Sequence, residues 1–380
     1  MENSEIFSSL KVFILFKLYK QLKMKKIKNS SFVIILIIII IVILFFINQN
    51  NEKQIEDTEI IKYNENQVIL GKPRIILDVP KDAIPPLDSP KYVKASEVDF
   101  VVGGDLVIGV NINNDARAYP IKILNWHEIV NDIIGGQEVV VTYCPLCKSA
   151  ILFSRILDGK TLSFGNTGSL YESTLLMYDR ETESFWGQIG GRAIEGELKG
   201  KRLEMLPSTT TRWKDWRKMY PDTLVLSLDT GYTRNYDSNP YLTYYLDKDS
   251  LPRFPISLID KRLPPKELII GVIFNDVKKA YPIDKLGWKV INDHVGNEDI
   301  VVFTRSKLTS VFFAEFDDEV LEFELVDKTI IDKNTKSEWN FFGQAINGSL
   351  QGKRLKPVPI VYAFWFGWVA EYPDTELYNT

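Results

Sequence analysis

The sequence predicts an α+β, strand-rich protein in which an N-terminal transmembrane helix precedes two tandem copies of one β-rich unit. Three observations support this fold class. Short β-branched or aromatic runs are bounded by glycine, proline and aspartate, which is typical of strands. Two helical patterns per unit do not alternate regularly with the strands, which disfavours a wound parallel sheet. A long stretch of the sequence also occurs twice.

The first predicted element is a membrane anchor over residues 31–47. Phe32–Ile47 contains no charged residue, and as a helix it would extend about 24 Å. No small-residue cleavage site follows, which favours a retained anchor over a removed signal peptide. Because lysines concentrate before the run, residues 1–30 should be cytoplasmic and the bulk of the chain extracytoplasmic. These lysines are Lys11, Lys17, Lys20, Lys23, Lys25, Lys26 and Lys28.

Two interpretations of residues 1–23 stay open: an artefact of start-site assignment, or an amphipathic cytoplasmic segment. Residues 48–70 are polar and should form a linker. The chain has 50 acidic and 46 basic residues, so the part beyond the lysine-rich segment is net acidic. We therefore expect no nucleic-acid surface. The predicted partners are the membrane, through the N-terminal helix, and a protein or small molecule of unidentified kind.

The repetition places two copies of one unit on either side of a connector. The segment from Leu106 reads "LVIGVNINNDARAYPIKILNW", and the segment from Leu268 reads "LIIGVIFNDVKKAYPIDKLGW". Later matches keep the same order, and three pairs of tryptophans align: Trp126 with Trp288, Trp213 with Trp365, and Trp216 with Trp368. We therefore assign residues 71–229 to repeat unit 1, 230–265 to an irregular connector, and 266–380 to a degenerate repeat unit 2.

Each unit should contain several strands and two helices. In unit 1 the predicted strands are "LVIGVNI", "EVVVTY", "SAILFSR", "KTLSFG" and "TLVLS". Apolar spacing predicts one helix over residues 121–132, before Gly135. A second helix is predicted over 208–220, because hydroxyl N-caps precede it and Pro221 follows it.

Three unusual features occur only in the first copy. Cys144 and Cys147 are the only cysteines of the chain, and copy two lacks both. His127 aligns with Lys289, and the "GNTGS" segment from Gly165 has no partner in copy two. Since both copies should fold alike, we infer that these features form one site and that the second copy is a scaffold.

The Cys-X-X-Cys pair has three interpretations. It could be a metal knuckle, a redox dithiol, or a static disulfide outside the cell. Because the residues after Cys147 resemble a strand, a thioredoxin-type thiolate at a helix N-terminus is disfavoured, and a single knuckle excludes a four-sulfur site. Our leading hypothesis is a transition-metal site for copper or zinc, formed by Cys144, Cys147 and His127. The alternatives are a thiol–disulfide oxidoreductase or redox sensor, and a non-catalytic ligand-binding module.

His127 and the glycine-rich segment also have alternative interpretations. His127 is either a metal ligand, an acid–base partner of a thiol, or a histidine at the helix surface or core edge. With Cys144 and Cys147 it completes the candidate catalytic set. The glycine-rich segment is either a loop whose N–H groups hold an anion or a hairpin turn. The candidate cofactor-binding residues are Gly165, Gly168, Ser169, Tyr171, Glu172 and Arg180.

The assembled motifs resemble the domain-of-unknown-function family 3179. The resemblance rests on "VPKDAIPPLDSPKYV", "NWHEIVND", "VTYCPLCKSAILF", "FGNTGSLYESTLLMYDRETESFWGQ" and "LPPKELIIGV", and it covers most of residues 75–380. The family's motif residues correspond to His127, Cys144, Cys147, Gly165, Gly168, Tyr178, Asp179 and Arg180. This chain has Lys148 where the family often has glycine, a departure from the pattern of a metal knuckle. The resemblance supports the domain and the site and assigns no reaction.

Overall fold

The computed structural model describes residues 66–379 of the protein. The predictions for the lysine-rich segment, the anchor at 31–47 and most of the linker lie outside these residues. Within residues 66–379, no helix combines the length and the apolar character that a membrane crossing requires. The predicted class is confirmed in its coarse form, because this part of the chain is α+β and rich in strands.

Helices are few and short. In the described chain they are α1 (Ile121–His127), α2 (Trp213–Met219), α3 (Ile283–Leu286) and α4 (Trp365–Glu371). Two 3-10 turns accompany them, at Ala95–Glu97 and Thr243–Tyr245.

In residues 66–379, seventeen strands lie before residue 230, where the connector begins, and fourteen lie after it. The first set is β1 Gln67–Ile69, β2 Ile75–Leu77, β3 Tyr92–Lys94, β4 Leu106–Ile112, β5 Asp115–Pro120, β6 Ile129–Ile134, β7 Gln137–Cys144, β8 Ser149–Ser154, β9 Ile156–Leu157, β10 Lys160–Thr161, β11 Phe164–Tyr171, β12 Thr174–Asp179, β13 Phe185–Gly187, β14 Arg192–Glu195, β15 Met205–Leu206, β16 Thr209–Arg212 and β17 Leu224–Leu226. The second set is β18 Leu258–Asp260, β19 Leu268–Phe274, β20 Val277–Pro282, β21 Lys289–Val295, β22 Glu298–Arg305, β23 Leu308–Phe313, β24 Glu315–Phe316, β25 Glu319–Val320, β26 Phe323–Val326, β27 Thr329–Asp332, β28 Glu338–Trp339, β29 Ala345–Asn347, β30 Val361–Phe364 and β31 Glu376–Leu377.

An eight-stranded sheet contains strands from both the first and the second predicted repeat unit. Its strands follow the order β31-β20-β19-β30-β8-β7-β6, and β15 pairs with β8 in addition. We call residues 66–229 the first half and residues 266–379 the second half. The contact of β8 with β30, through Ala150 and Tyr362, joins the hairpin β7–β8 of the first half to strands of the second half. Conversely, β23 of the second half lies beside β16 of the first half. Each hairpin therefore packs against the other half of the chain.

The remaining sheets are smaller. Two have five strands, in the orders β14-β13-β12-β11-β2 and β16-β4-β5-β17-β3. Others are β26-β27-β28-β29, β21-β22-β23 and the pairs β1-β18, β9-β10 and β24-β25. The largest apolar core includes strands β7, β8, β19 and β30 together with the buried face of α4. The Cys-X-X-Cys turn lies in this core.

Tryptophans of α2 and α4 pack in the same way on glycines of the neighbouring strands. Trp216 lies on Gly109, where an added Cβ would be 2.3 Å from the indole ring. Trp368 lies on Gly271, where the corresponding distance is 2.2 Å. Each indole N–H donates to a threonine hydroxyl seven residues later along the chain. A side chain at either glycine would therefore displace a buried tryptophan.

Three local predictions differ from the structure. The helix predicted over 121–132 ends at His127, because Glu128 adopts a φ of +57° and the chain reverses into β6. The helix predicted over 208–220 begins only at Trp213, since the preceding threonines pair with β4. The predicted glycine loop is part of β11, with an irregular register between Asn166 and Leu170. In each case long-range strand pairing overrides the local pattern.

Candidate functional site

The two cysteines lie at a turn between β7 and β8. Cys144 is the last residue of β7 and pairs with Ser149, the first residue of β8. Both thiols are free, and the two residues are 1% and 0% exposed. Lys148 closes the turn with a φ of +53°, a left-handed conformation that favours glycine. This explains why glycine suits the position after the second cysteine.

A directional chain of hydrogen bonds begins at Cys147. The Ile151 carbonyl can only accept, so the Thr142 hydroxyl donates to it at 2.9 Å. Thr142 Oγ1 therefore accepts from Gln188 Nε2 at 3.0 Å, and Gln188 Oε1 accepts from Ser149 Oγ at 2.5 Å. With its hydrogen committed, Ser149 Oγ accepts from Cys147 Sγ at 3.1 Å. The chain thus fixes Cys147 as a protonated thiol that donates.

Cys144 is in a different electrostatic environment. The backbone N–H groups of Cys147 and Leu175 near its sulfur favour a thiolate. Burial and the neighbouring Cys147 thiol act in the opposite direction and raise the pKa of Cys144 well above its usual range. Cys144 therefore rests as a neutral thiol, whereas Cys147 donates its S–H to Ser149.

Glu128 is a site residue that the sequence analysis missed. It follows α1 directly, is buried, and accepts a 2.7 Å hydrogen bond from Asn166 Nδ2. Burial raises the pKa of the Glu128 carboxyl well above its usual range, and the nearby Cys144 raises it further. A signal was present in the repeat comparison. Copy one reads "NWHEIVND" where copy two reads "GWKVIND", so the second copy has no residue in place of this glutamate.

Gln188, Ser149 and the connector tyrosines were likewise not predicted as site residues. Tyr245 donates from its hydroxyl to the Pro145 carbonyl at 2.8 Å, directly over the cysteine turn. Burial raises the pKa of Tyr244, which is half-buried like Tyr241 and Tyr245. Tyrosines in an irregular connector have no sequence spacing that would have identified them.

The second half of the chain also encloses the thiols. The Phe364 N–H donates to the Cys147 carbonyl at 2.7 Å. Gly367 of α4 lies against the same cysteine, and an added Cβ would be 3.1 Å from Cys147 Cβ. The second half therefore supplies one wall of the cysteine site.

His127 is buried, and both of its ring nitrogens have partners. Nδ1 donates to the Pro85 carbonyl at 2.8 Å, so Nε2 accepts from the Tyr236 hydroxyl at 2.8 Å. Burial lowers the pKa of His127, which keeps the ring neutral. In the part of the chain that the structure describes, no three His, Cys, Asp or Glu side chains are grouped to hold a metal ion. The structure thus brings the two sulfur atoms together without completing a metal site with His127.

The glycine-rich segment uses its N–H groups within the protein. The N–H of Asn166 donates to Asp82, that of Gly168 to the Asn166 side chain, and that of Ser169 to Thr167 Oγ1. The glycines themselves are required by packing. An added Cβ would be 2.4 Å from the Tyr178 ring at Gly165 and 2.0 Å from a backbone oxygen at Gly168.

The other candidate cofactor-binding residues lie at separate places. Ser169 and Tyr171 pair with β2. Glu172 is buried and accepts from the Arg74 N–H and from the N–H and hydroxyl of Ser257. Arg180 forms an ion pair with Asp88 at 2.9 Å. Within residues 66–379, none of these side chains forms a hydrogen bond with either cysteine sulfur.

Comparison with family models gives one match, over residues 81–375, to the family described as "Protein of unknown function (DUF3179)". The chain belongs to the DUF3179 family. No curated protein and no solved structure matches the chain. The DUF3179 match confirms the resemblance drawn from the motifs, and it includes the cysteine turn, His127, Glu128 and both halves of the chain.

Proposed function

We propose that this protein is a thiol–disulfide redox protein in which Cys144 and Cys147 alternate between a dithiol and a disulfide. The observation that carries the proposal is the unequal pair of adjacent buried free thiols: Cys147 donates to Ser149, and the backbone N–H groups near Cys144 favour its thiolate. The reaction consumes a disulfide of a partner. Two protein thiols form the Cys144–Cys147 bond, and the partner's two sulfurs leave as thiols with the two protons and two electrons.

The hydrogen-bond chain favours the reduced form. Oxidation removes the S–H group of Cys147. Ser149 Oγ then has no hydrogen-bond donor from Cys147, while it still donates to Gln188. A pair whose reduced form is selectively stabilised is a stronger oxidant. We therefore expect the disulfide to accept electrons readily.

Burial restricts the reaction partner. Tyr241, Tyr244 and Tyr245 of the connector and α4 of the second half enclose the thiols, which are themselves almost fully buried. Reaction therefore requires a small disulfide or displacement of the connector. A slow reaction with alkylating reagents in the folded protein is a direct consequence, because thiolate formation and access are both disfavoured.

The proposal includes a location and an architecture. We propose that residues 31–47 anchor the protein in the membrane with residues 66–379 outside, where disulfide chemistry is favoured. We also propose that the two halves are copies of one unit. The matching Trp216 and Trp368 contacts support this. A further supporting pair is Asp179 with Trp186 and Asp332 with Trp339, each bonded at the same sequence spacing.

Metal binding remains a second hypothesis. The backbone N–H groups near Cys144 resemble those of a thiolate knuckle, and copper or zinc would suit two sulfur ligands. A copper or zinc site would need ligands besides His127 in its present position, since both nitrogens of that ring have partners.

The test equilibrates the full-length chain with thiol–disulfide buffers of defined potential, then counts thiols after rapid unfolding in an alkylating reagent. We expect a reversible two-electron transition in the wild type, and a mixed disulfide in one of the variants Cys144→Ser and Cys147→Ser. Thiols that remain reduced throughout, or a disulfide that is reduced only on unfolding, would contradict the proposal. Stoichiometric copper or zinc that both variants lose would instead support the metal hypothesis.

A further inference from the structure

A cavity of about 300 Å³ opens beside His127, away from the described cysteine contacts. Its lining includes Asp82, Pro85, Asp88, Arg180, Tyr232 and Arg234. His127 lies behind this lining, because its ring contacts Tyr232 with centroids 5.5 Å apart and bonds the Pro85 carbonyl. The cavity has the size of a site for a small metabolite.

The acidic groups of the cavity already have partners. Asp82 accepts the Asn166 N–H at 3.0 Å and the Tyr178 hydroxyl at 2.6 Å. Asp88 accepts both terminal nitrogens of Arg180, at 2.9 and 3.1 Å. Both carboxylates and the Arg180 guanidinium are therefore satisfied within the protein.

Arg234 differs from Arg180 in this respect. Its guanidinium donates to the Thr233 carbonyl at 3.1 Å, and no carboxylate of residues 66–379 forms an ion pair with it. The side chain is half-buried, with its guanidinium 5.9 Å from the Tyr232 ring. A guanidinium that lines a cavity with unused N–H donors is suited to binding an oxyanion in a bidentate manner.

We propose that this cavity binds a small carboxylate-bearing molecule and that Arg234 is the residue that holds its carboxylate. The charges of two arginines and two aspartates cancel in the lining, so Arg234 supplies the attraction for one negative charge. A doubly charged phosphate would also face Asp82 and Asp88 and is therefore disfavoured. The planar fork of a single arginine matches a carboxylate.

The cavity is also connected to the cysteine site. Asp82 bonds the backbone of Asn166, and the side chain of Asn166 bonds Glu128, which lies beside Cys144. Binding in the cavity does not require the proposed redox reaction, so the two proposals fail independently.

The chain's two histidines provide a selective probe of this cavity. His127 lies behind the lining, whereas His294 has an exposed side chain paired with Asp299. We would label the histidine rings of the full-length chain and record their NMR signals during titration with sodium propionate, sodium acetate, sodium phosphate and, for ionic strength, sodium chloride. We expect saturable shifts of the His127 signals with the two carboxylates and unchanged His294 signals.

Arg234→Ala should weaken propionate binding about tenfold or more, because a charged hydrogen-bonding partner is lost. Arg217→Ala is the matched control. Arg217 is exposed and its guanidinium is 6.0 Å from the Trp213 ring, so the same kind of side chain is removed away from the cavity.

Three results would overturn the proposal: no saturable shift with either carboxylate, equal binding by Arg234→Ala, or tighter binding of phosphate than of both carboxylates.

Discussion

The hairpins β7–β8 and β22–β23 have corresponding strand registers and different interiors. The last pair before the turn is Cys144 with Ser149 in the first hairpin and Arg305 with Leu308 in the second. Counting back from these pairs, Phe303 occupies the position of Thr142. Phe341 follows Trp339 by two residues, as Gln188 follows Trp186.

The comparison shows that the polar chain is not needed to build this architecture. Thr142, Ser149 and Gln188 correspond to Phe303, Leu308 and Phe341, which belong to an apolar core in the second half. Burying hydroxyl and amide groups costs free energy unless every group is hydrogen-bonded. In the first hairpin these buried polar groups are hydrogen-bonded to one another, and this arrangement makes Cys147 a hydrogen-bond donor to Ser149.

The turns of the two hairpins differ in length, and the helix positions beside them differ in charge. The second turn needs only Ser306 and Lys307, both with positive φ, as in a tight two-residue hairpin. The helix beside it contributes Asp215, which pairs with Arg305 at 3.2 Å. The corresponding helix position beside the first turn is Gly367, which leaves room for Cys147. The first turn thus has two additional residues and a neutral, close-packed wall.

The largest effect is expected when Gly367 is replaced by aspartate, the residue found at the corresponding position of α2, Asp215. Gly367→Asp would place a carboxylate against Cys147 and Thr174 without a cationic partner, since Cys144 occupies the place of Arg305. An uncompensated buried charge should lower the free energy of unfolding by about 3–5 kcal/mol, measured by urea denaturation. The reverse change, Asp215→Gly, is the control and should cost about 1 kcal/mol, because its ion pair is partly exposed. If both variants lost the same free energy of unfolding, the inferred difference between the surroundings of the two turns would be wrong.

A smaller effect is expected from breaking the polar chain in the middle. Gln188→Leu leaves Ser149 without an acceptor and should destabilise the dithiol form by about 1–3 kcal/mol. Because the disulfide form lacks the Cys147 donor, it should be destabilised less, and the reduction potential should fall by at most roughly 20–60 mV. Gln344→Leu, at a half-buried amide in the second half, should leave the potential unchanged. If Gln188→Leu left the reduction potential unchanged, the hydrogen-bond chain would have no part in the redox chemistry.

The last expected effect depends on pH and concerns Glu128, which has no counterpart in the second half. Its folded-state pKa is raised above the unfolded value, so the folded state binds the proton more tightly. The resulting stability is present below the unfolded pKa of about 4.3 and is lost as pH rises toward the folded pKa, by about 1.4 kcal/mol per unit of the difference. Glu128→Gln should therefore abolish this decline in free energy of unfolding, measured by denaturation between mildly acidic and alkaline pH. A decline of the same slope in the variant would contradict a buried neutral carboxyl.

Much of this protein could be predicted from sequence, because the relevant signals are local. Strand runs, the tryptophan spacing and the adjacent cysteines each occupy a few consecutive residues, and the family follows from their order. The course of the chain after His127 could not be predicted, since one residue with positive φ ends α1 and begins β6. The predicted convergence of His127 with the sulfurs on a metal stays a prediction.

The tertiary structure alone decided which groups surround the thiols. Ser149 and Gln188 are 39 residues apart, and Tyr245 reaches Pro145 across 100 residues. The sequence by itself determined that the two thiols lie in one short segment, because only two residues separate Cys144 from Cys147. Their protonation depends instead on burial and on the direction of hydrogen bonds from distant strands, and both arise only when the sheets assemble.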